Sequence, residues 1–354
     1  MKILMMTSPE PIRNNTGFYF GEKRFPLGIG YLISSLQLAG HDVSFIDQYL
    51  KRDFTFNPND YDYIGVSANT PCWQGALDLL EYIKKHKSAD SSFKVMVGGP
   101  HTTIHLNDIP DWVDYIVQGE ADLSILSVVD GSHPARIINS ERIKDLDSLP
   151  MPAYSIFDNM PYVTTVPWFP GKVFNMNTSR GCPYSCKFCS VKKIWGREYH
   201  AMSAARVFND IEYLKTTYAI KGVYFREDNF TIQNSRIYEL CDRLKDQDIL
   251  WACESRVDTL PENMLISMYK AGCRAIYIGF ESGSQHILDL LGKDTTVEEG
   301  LNVGLICKKI GIKVAASFII EHPEETHEDT ELTEKFIREV EPANVWKNKY
   351  REGG

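Results

Sequence analysis

The sharpest chemical signal in the sequence is a run of three cysteines spaced C-x3-C-x2-C, which are Cys182, Cys186 and Cys189. The run directly follows a predicted strand, KVFNMN at 172–177, and lies among Gly, Pro, Ser and Lys residues, which are typical of a loop. Three thiolates on one loop can bind three irons of a four-iron four-sulfur cluster and leave the fourth iron without a protein ligand. Zinc is the competing interpretation, but a structural zinc site takes four ligands, and no second C-x2-C pair follows. Three inert buried thiols are disfavoured because the loop is polar.

Charged and polar residues follow three further predicted strands. Glu227 and Asp228 come after GVYFR (222–226), Arg256 comes after WACES (251–255), and Glu281 and Ser282 end YIGFES (277–282). A carboxylate in a site shielded from water pairs strongly with an ammonium group, and an arginine forks onto a carboxylate. The strand ends therefore offer groups that would bind a zwitterionic ligand.

Each of these residues also has a local interpretation. Glu227 and Asp228 can cap the helix that begins near residue 233. The arginine can form a surface ion pair with Asp258 or Glu262, and Ser282 or Ser284 can cap the helix that follows them.

The cysteine run resembles the signature of the radical S-adenosylmethionine (SAM) superfamily, C-x3-C-x-aromatic-C at the end of a first barrel strand. The resemblance implies that the amino and carboxylate groups of SAM bind the open iron. It implies that an electron from the cluster splits SAM into methionine and a 5′-deoxyadenosyl radical, which abstracts a hydrogen atom from the substrate. The three cysteines are then the cluster ligands, and Phe188 is the aromatic residue whose backbone lies near the adenine. A flavodoxin- or ferredoxin-type protein is the implied electron donor.

The residues at the strand ends take roles from the same resemblance. Glu227 is the first candidate, and Asp228 the second, for the amino group of SAM. Arg256 stands in WACESRVD (251–258), which is similar to the W-x-C-x-x-R-x-D pattern of the cobalamin-associated branch, and would bind the carboxylate of SAM. Glu281 and Ser282 stand in a turn similar to that branch's G-x-E-S-G-S and would contact ribose hydroxyls or the substrate.

The fifth strand of this half ends in a turn that departs from the family. Relatives usually have glycine-leucine-proline-glycine-glutamate-threonine there, whereas Glu321 and Glu324 replace the two glycines and His322 replaces the leucine. Because glycine permits close backbone approach, the departure alters the adenine side of the site. The extra carboxylates either face a polar or cationic substrate or form a solvated acidic turn.

The first 120 residues alternate short apolar runs with helix-like segments. The runs are KILMMT, DVSFID, YIGVSA, KVMVGG and YIVQGE, and their rhythm predicts βα units and a doubly wound parallel sheet. Ligands of such sheets lie beyond the carboxyl ends of the strands, although the fold alone names no ligand.

This half resembles the cobalamin-binding domain that precedes many radical SAM barrels. The matching segments are PLGIGYL (26–32), GVSANT (65–70), GGPHT (98–102) and GEAD (119–122). The glycines would let the backbone lie against a flat corrin, and hydroxyl and amide groups would bond its amide arms. The candidate cobalamin-binding residues are Ser67, Asn69, Thr70, Gly98, Gly99, His101, Gly119 and Glu120.

The usual histidine motif for cobalt ligation, D-x-H-x-x-G, does not occur in the sequence. His101 is a candidate ligand of cobalt or of substrate, but a lone histidine after a glycine-proline turn is more often a hydrogen-bonded loop residue. Binding of cobalamin would therefore not depend on a lower nitrogen ligand from that motif.

Prolines mark the boundary between the two halves, since six of the 17 prolines lie between residues 134 and 170. We predict a cobalamin-binding-like Rossmann domain at 1–133, a Pro-rich linker at 134–170 and a radical SAM domain at 171–354. Six predicted strands in the last part indicate a partial (βα)6 barrel with its active site at the carboxyl ends of the strands, as in complete barrels.

Composition and charge limit the expected partners and location. Lysine plus arginine against aspartate plus glutamate gives 38 − 47 = −9, so a nucleic acid is not the expected partner. No apolar run reaches the ~18–20 residues of a membrane span, and the first residues are typical of a strand rather than a signal peptide. Clustered cysteines without an export signal favour metal chemistry over disulfides and a cytoplasmic location.

The function predicted from these patterns is that of a cobalamin-dependent radical SAM enzyme that methylates an unactivated carbon of a small organic substrate. The first alternative is a radical SAM enzyme without cobalamin that catalyses a rearrangement, cyclisation or dehydration, with the N-terminal domain as an interaction module. An iron-sulfur electron carrier is disfavoured because an open iron suits substrate binding better than electron transfer. Relatives that thiomethylate transfer RNA are disfavoured because the sequence lacks their added cysteines and basic terminal domain.

Overall fold

Two runs of alternating strands and helices divide the chain into two structural units, Met1–Val163 and Thr164–Gly354. The structure, a computed structural model, describes residues 1–9 and 23–351. Within these ranges no helix is both long and apolar enough to cross a membrane.

The first unit is built on a six-stranded parallel sheet. Its central strands are almost continuously buried, as is usual for a parallel sheet, and Ile3, Leu4 and Met6 in the first strand are fully buried. The strands are β1 (Lys2–Thr7), β2 (Asp42–Ile46), β3 (Tyr63–Ser67), β4 (Lys94–Gly98), β5 (Tyr115–Gln118) and β6 (Ile137–Asn139). Their order in the sheet is β2-β1-β3-β4-β5-β6. The predicted doubly wound sheet is confirmed.

The path of the chain across this sheet sets the position of its ligand edge. β2 lies on one side of β1 and β3 on the other, so the strand order reverses between β1 and β3. Side chains that follow β1 and β3 therefore flank the switch point at which ligands of such sheets bind. The helices of the unit are α1 (Leu27–Leu38), α2 (Trp73–Lys85), α3 (Pro100–Ile104), α4 (Ala121–Val129) and α5 (Tyr154–Phe157).

Residues 134–163, which the sequence places in a Pro-rich linker, belong to the first unit. β6 pairs with β5 and extends the sheet. The rings of Phe157 and Tyr162 lie 5.4 Å and 5.2 Å from the ring of Phe25, measured between centroids. The apolar residues between the prolines thus add to the core, and the division between the units falls at 163/164.

The second unit is a partial barrel of six parallel strands in the order β14-β13-β12-β11-β10-β7, which confirms the predicted (βα)6 architecture. A short antiparallel pair, β8 with β9, lies outside this sheet. The strands are β7 (Val173–Met176), β8 (Ser179–Arg180), β9 (His200–Ala201), β10 (Gly222–Phe225), β11 (Leu250–Arg256), β12 (Cys273–Glu281), β13 (Lys313–Ile320) and β14 (Asn344–Lys349).

The segments that connect the strands of this unit contain its helices. Two of them begin with capping boxes, Thr296 with Glu299 and Thr326 with Asp329, which satisfy backbone N–H groups left free by the first helical turn. The helices of the unit are α6 (Val191–Trp195), α7 (Ala204–Tyr218), α8 (Asn234–Leu244), α9 (Glu262–Lys270), α10 (Gln285–Leu291), α11 (Val297–Ile310) and α12 (His327–Val340).

The packing of α1 against α5 depends on a glycine. A Cβ atom at Gly30 would lie 2.8 Å from Cε2 of the fully buried Phe157, whereas a Cβ at Gly28 would meet no heavy atom within 4 Å. We expect Gly30→Ala to lower the free energy of unfolding by about 1–3 kcal/mol through overpacking. We expect Gly28→Ala to leave it unchanged or raise it, because alanine favours a helix. Urea titration followed by circular dichroism measures both, and equal effects would contradict the packing explanation.

Candidate active site

The three cysteines lie on a loop that is closed by a short hairpin stem just after β7. β8 and β9 pair in antiparallel fashion, Ser179 with Ala201 and Arg180 with His200. The loop between them runs over residues 181–199 and includes α6. We call this segment the cysteine loop, and its two ends are held side by side by the stem.

The thiols of the cysteine loop differ from the other five in the chain. All eight cysteines are free of disulfides, but only Cys182, Cys186 and Cys189 are partly exposed, and the rest are buried. Burial raises the pKa of Cys182 and raises that of Cys189 to about 11, and the negative charges of Asp228 and Cys186 add to both shifts. The three thiols and Asp228 therefore lie within electrostatic range of one another.

This donor set suits a cluster rather than a single ion. Among the described residues, no three His, Cys, Asp or Glu side chains converge as the ligands of one metal ion would. In a four-iron four-sulfur cluster each thiolate binds a different iron, so convergence on one point is not required. Three reduced, partly exposed thiols on one loop fit that cluster.

Arg256, at the end of β11, reaches the cysteine loop. Its Nη1 donates to the sulfur of Cys186 at 3.0 Å, and its guanidinium carbon lies 3.7 Å from the centroid of the Tyr184 ring. Its Nε and Nη2 donate to the two carboxylate oxygens of Asp258 at 3.0 Å and 3.3 Å, and Nη2 also donates to the carbonyl oxygen of Lys293 at 2.6 Å. The ion pair with Asp258 considered from the sequence thus forms, but Arg256 is buried and also places a positive charge beside Cys186.

A second buried ion pair faces the same loop. Nζ of Lys293 lies 2.8 Å from Oε1 of Glu281 and 5.9 Å from the centroid of the Phe188 ring. Glu281 has a φ of +67° at a point where β12 shifts register against β13. A non-glycine residue held in the left-handed region is strained, and such residues gather at functional sites.

The two acids that follow β10 have different surroundings. The buried carboxylate of Glu227 accepts hydrogen bonds from the N–H of Thr178 at 2.5 Å, from the Thr178 hydroxyl at 2.6 Å and from the Ser179 hydroxyl. Asp228 accepts one from the N–H of Gly181 at 3.2 Å. Helix α8 has Gln233 at its N-cap, so neither acid caps it. Glu227 is thus engaged with the base of the cysteine loop, and Asp228 borders its thiols.

Ser282 and Ser284 bond to α12 instead of the cysteine loop. Oγ of Ser282 lies 3.1 Å from Oγ1 of Thr333, and the Ser284 hydroxyl donates to Oδ1 of Asp329. Both serines are buried, and Ser284 makes no side-chain capping bond to α10. The contact of Ser282 with SAM stays a prediction, and these bonds give both serines a structural role.

The aromatic residue of the cysteine motif is fixed on its far side. Phe188 packs against Ile287, Leu291 and Ile319, and the N–H of Lys187 donates to the carbonyl oxygen of Leu291 at 2.9 Å. The backbone at 187–188 is therefore tied to the end of α10.

The turn after β13 keeps a glycine-like conformation without glycine. Glu321 has a φ of +60°, and the N–H groups of Glu321 and His322 donate to the carboxylate of Glu325 at 2.6 Å and 3.3 Å. The side chain of Glu321 pairs with Lys349 at 2.8 Å, and Glu321 and Glu324 are exposed. These contacts favour the solvated acidic turn over a site for a cationic substrate.

In the first unit, the predicted cobalamin-binding residues lie at or just after the carboxyl ends of β3, β4 and β5. Asn69 and Thr70 are exposed and Ser67 is partly exposed. Oδ1 of Asn69 accepts the N–H of Cys72 at 3.0 Å and so fixes the turn. These hydroxyl and amide groups lie beside the switch point between β1 and β3.

The three glycines of this edge are there for different reasons. Gly99 has a φ of +100° and its Cβ would lie 2.6 Å from the carbonyl oxygen of Ala68, while Gly119 has a φ of +77°. Both are required by the turns of the chain itself. Gly98 is not strained, and the nearest atom to its Cβ would be 3.4 Å away. Exposed polar groups together with the accessible backbone at Gly98 fit a corrin.

His101 and Glu120 are buried and engaged within the unit. The ring of His101 stacks on Trp73 at 4.1 Å, its Nε2 lies 3.3 Å from Oδ2 of Asp108, and burial lowers its pKa. Glu120 pairs with Nε of Arg142. These contacts favour the loop interpretation of His101, and its role as a ligand stays a prediction.

Two residues that bond at the base of the cysteine loop, Arg236 and Thr178, could not be singled out from the sequence. Arg236 on α8 donates to the carbonyl oxygen of Met202 at 2.6 Å and to the Thr178 hydroxyl. An arginine on an amphipathic helix normally faces solvent, so its type and spacing gave no signal. For Thr178 the only sign in the sequence was its position directly before the stem of the cysteine loop.

Comparisons with known proteins connect both sites to families. The profile of the Radical SAM superfamily matches residues 176–337, and that of the B12 binding domain matches residues 19–129. The uncharacterized methyltransferase PH0819 of Pyrococcus horikoshii is 31% identical over 96% of this chain and 78% of its own length. The anaerobic magnesium-protoporphyrin IX monomethyl ester cyclase of Rubrivivax gelatinosus is 28% identical over 90% of this chain and 62% of its own length.

A solved structure shows the same fold. The cobalamin-dependent S-adenosylmethionine radical enzyme OxsB, with aqua-cobalamin and S-adenosylmethionine bound, superposes with a TM-score of 0.79 at 20% identity, covering 95% of this chain and 51% of that one. The chain belongs to the radical SAM superfamily, in the branch that carries a B12-binding domain. Its cofactors are therefore SAM and a four-iron four-sulfur cluster, and the B12-binding domain adds cobalamin, as predicted.

Replacing Cys182, Cys186 and Cys189 together by alanine should abolish iron and sulfide binding, because thiolates are the ligands of such clusters. The matched control is Cys307→Ala, since Cys307 is fully buried on α11. Iron and sulfide per chain are measured after anaerobic reconstitution. A triple variant that still holds about four irons would contradict the assignment of these ligands.

Proposed function

We propose that the chain is a cobalamin-dependent radical SAM methyltransferase that methylates an unactivated carbon of a small organic molecule. The observation that carries this proposal is the similarity to a protein named as a methyltransferase, which extends through both units over 96% of the chain. The free thiols of the cysteine loop and the polar edge of the first sheet support it. When bound, the reduced cluster and SAM supply hydrogen abstraction, and cobalamin supplies the methyl group.

The chain's own residues would hold and tune this chemistry at the strand ends. Arg256 places a positive charge at Cys186, where it would stabilise the negative charge that a reduced cluster carries. Asp228, the acid that borders the thiols, would take the ammonium group of SAM. The strained Glu281, paired with Lys293, would face the ribose.

A flavodoxin- or ferredoxin-type electron donor and a cytoplasmic location are parts of the same proposal. A reducing compartment suits eight cysteines that form no disulfide.

Ring closure is the second candidate function. It is favoured by the 28% identity, over 90% of the chain, to a protein named as a cyclase. The radical SAM machinery of the second unit would be the same.

Asp228→Asn should weaken SAM binding roughly tenfold to several-thousandfold, because losing one partner of a desolvated charge pair costs ~2–5 kcal/mol. Iron content should not change. Asp242→Asn, on an exposed position of α8, is the control. Equilibrium dialysis with labelled SAM measures the affinity of the reconstituted proteins, and a wild-type value for Asp228→Asn would remove this residue from the proposed site.

Wild-type protein reconstituted with hydroxocobalamin should retain near-stoichiometric corrin after gel filtration. With SAM and a reductant it should form 5′-deoxyadenosine and S-adenosylhomocysteine, the second of which marks methyl transfer from SAM. Gly98→Leu should lose most of the corrin, because its side chain would project at the end of β4.

Leu38→Trp, at a 77% exposed position at the last residue of α1, is the matched control and should retain the corrin. Gly99 is not a suitable probe, because any side chain there would clash with the backbone of Ala68. A wild type that makes 5′-deoxyadenosine but retains no corrin would replace methyl transfer by the second candidate function.

A further inference from the structure

We propose that Glu227 and Arg236 are positioning residues for the cysteine loop and that they act together through the hydroxyl group of Thr178. The inference rests on the proposed function in one respect, that the cysteine loop carries the cluster. It gives Glu227 a different role from the SAM-binding role predicted from the sequence.

Thr178, the residue before the stem strand β8, joins the two charges. Its N–H and its hydroxyl both donate to Oε1 of Glu227, at 2.5 Å and 2.6 Å. Its hydroxyl oxygen accepts a hydrogen bond from Nη2 of Arg236, and its carbonyl oxygen lies 3.4 Å from the same nitrogen. Thr178 is fully buried, Glu227 is 4% exposed and Arg236 is 5% exposed, so the charges are compensated inside the protein.

The same two side chains hold both ends of the cysteine loop. At the first end, the Ser179 hydroxyl donates to Oε2 of Glu227. At the second end, Nε of Arg236 donates to the carbonyl oxygen of Met202, directly after β9, at 2.6 Å. The N–H of Met202 donates in turn to the carbonyl oxygen of Thr178 at 2.8 Å. The stem from which the three cysteines project is therefore clamped from β10 and from α8.

The acceptor capacity of Glu227 favours this role over SAM binding. A carboxylate has about four acceptor positions, and three hydrogen bonds from Thr178 and Ser179 already fill most of them. Asp228, the next residue, accepts instead from the N–H of Gly181, the residue before Cys182, at 3.2 Å. Glu227 thus bonds to the base of the loop, and Asp228 bonds beside its first cysteine.

The stem also carries an energetic cost. Nη1 of Arg236 is buried without a hydrogen-bond partner among the described residues. Native proteins rarely leave such donors unpaired, and those that do concentrate them where function overrides stability. This agrees with a stem selected for the position of its loop.

The test uses Thr178→Val, Arg236→Gln and Glu227→Gln, with Thr178→Ser as the conservative rescue. The matched control is Arg243→Gln on the same helix, where the guanidinium pairs with the exposed Glu239. Circular dichroism and thermal melting establish which variants fold. Each folded variant is reconstituted anaerobically, and the chelator concentration that removes half of its iron is measured. The electron paramagnetic resonance spectrum of the reduced cluster is recorded before and after SAM is added.

Thr178→Val and Arg236→Gln should lose half their iron at a chelator concentration roughly 10- to 100-fold lower than the wild type, the usual effect of removing an outer partner of metal ligands. Their spectra without SAM should also differ from that of the wild type. Thr178→Ser and Arg243→Gln should match the wild type. Wild-type iron retention and spectra in folded Thr178→Val or folded Arg236→Gln would overturn the inference. If one of these two variants does not fold, the other decides.

The same measurements separate the rival role of Glu227 and the failure of the proposed function. If Glu227 bound the amino group of SAM, Glu227→Gln would weaken SAM and leave the SAM-free spectrum unchanged, and Thr178→Val would have no effect. A wild type that takes up no iron would refute the proposed function itself. If the wild type takes up iron normally and the variants do not differ from it in iron retention or spectrum, only the positioning role is refuted.

Discussion

The second unit depends on one constraint. The cysteine loop must present three thiols at fixed positions, although its own stem is only a short hairpin. Two paired residues on each side cannot fix a segment of this length, so the neighbouring elements supply the contacts. Asp228 bonds to Gly181 at the start of the loop, Leu291 of α10 bonds to Lys187 in its middle, and Arg256 bonds to Cys186. Each contact comes from a different strand end or helix of the barrel, so the position of the loop is fixed by the elements around it.

The same neighbours solve an electrostatic problem. Burying a charge is costly unless it is paired, and each buried cation near the loop has an acid beside it. Arg256 has Asp258, Lys293 has Glu281, and Arg236 reaches Glu227 through Thr178. Because each pair is nearly neutral, the local charge at the loop depends on which member of the pair faces it. In the pair of Arg256 with Asp258, the guanidinium faces the loop and donates to the thiol of Cys186.

The elements and the placement of three cysteines on one loop could be predicted from the sequence because their signals are local. Alternation of apolar residues marks strands and helices, and the spacing of Cys182, Cys186 and Cys189 is contained within one loop. The division of labour between Glu227 and Asp228 could not be predicted, since both follow the same strand and only their partners, 47 to 49 residues away, distinguish them. Gly99 and His101 likewise have local patterns that suit a ligand, yet Ala68 and Trp73 determine their roles. Prolines predicted a linker at 134–170, because the apolar residues between them give no sign that residues 134–163 belong to the first structural unit.

The second sheet is an arc, and within the described residues β7 and β14 form its two edges. A closed barrel of eight strands leaves an interior that side chains can fill, and its only entrance is along the axis. An arc of six strands is not closed in this way, so among the described residues each of its two edge strands has one side without a partner strand in the sheet. Unpaired backbone groups at such an edge invite pairing with a strand from another chain, and charged residues, especially lysines, are a common protection against it. Lys347 and Lys349 stand on β14 and pair with Glu334 and Glu321, so this edge carries charged side chains of the kind that discourages such pairing.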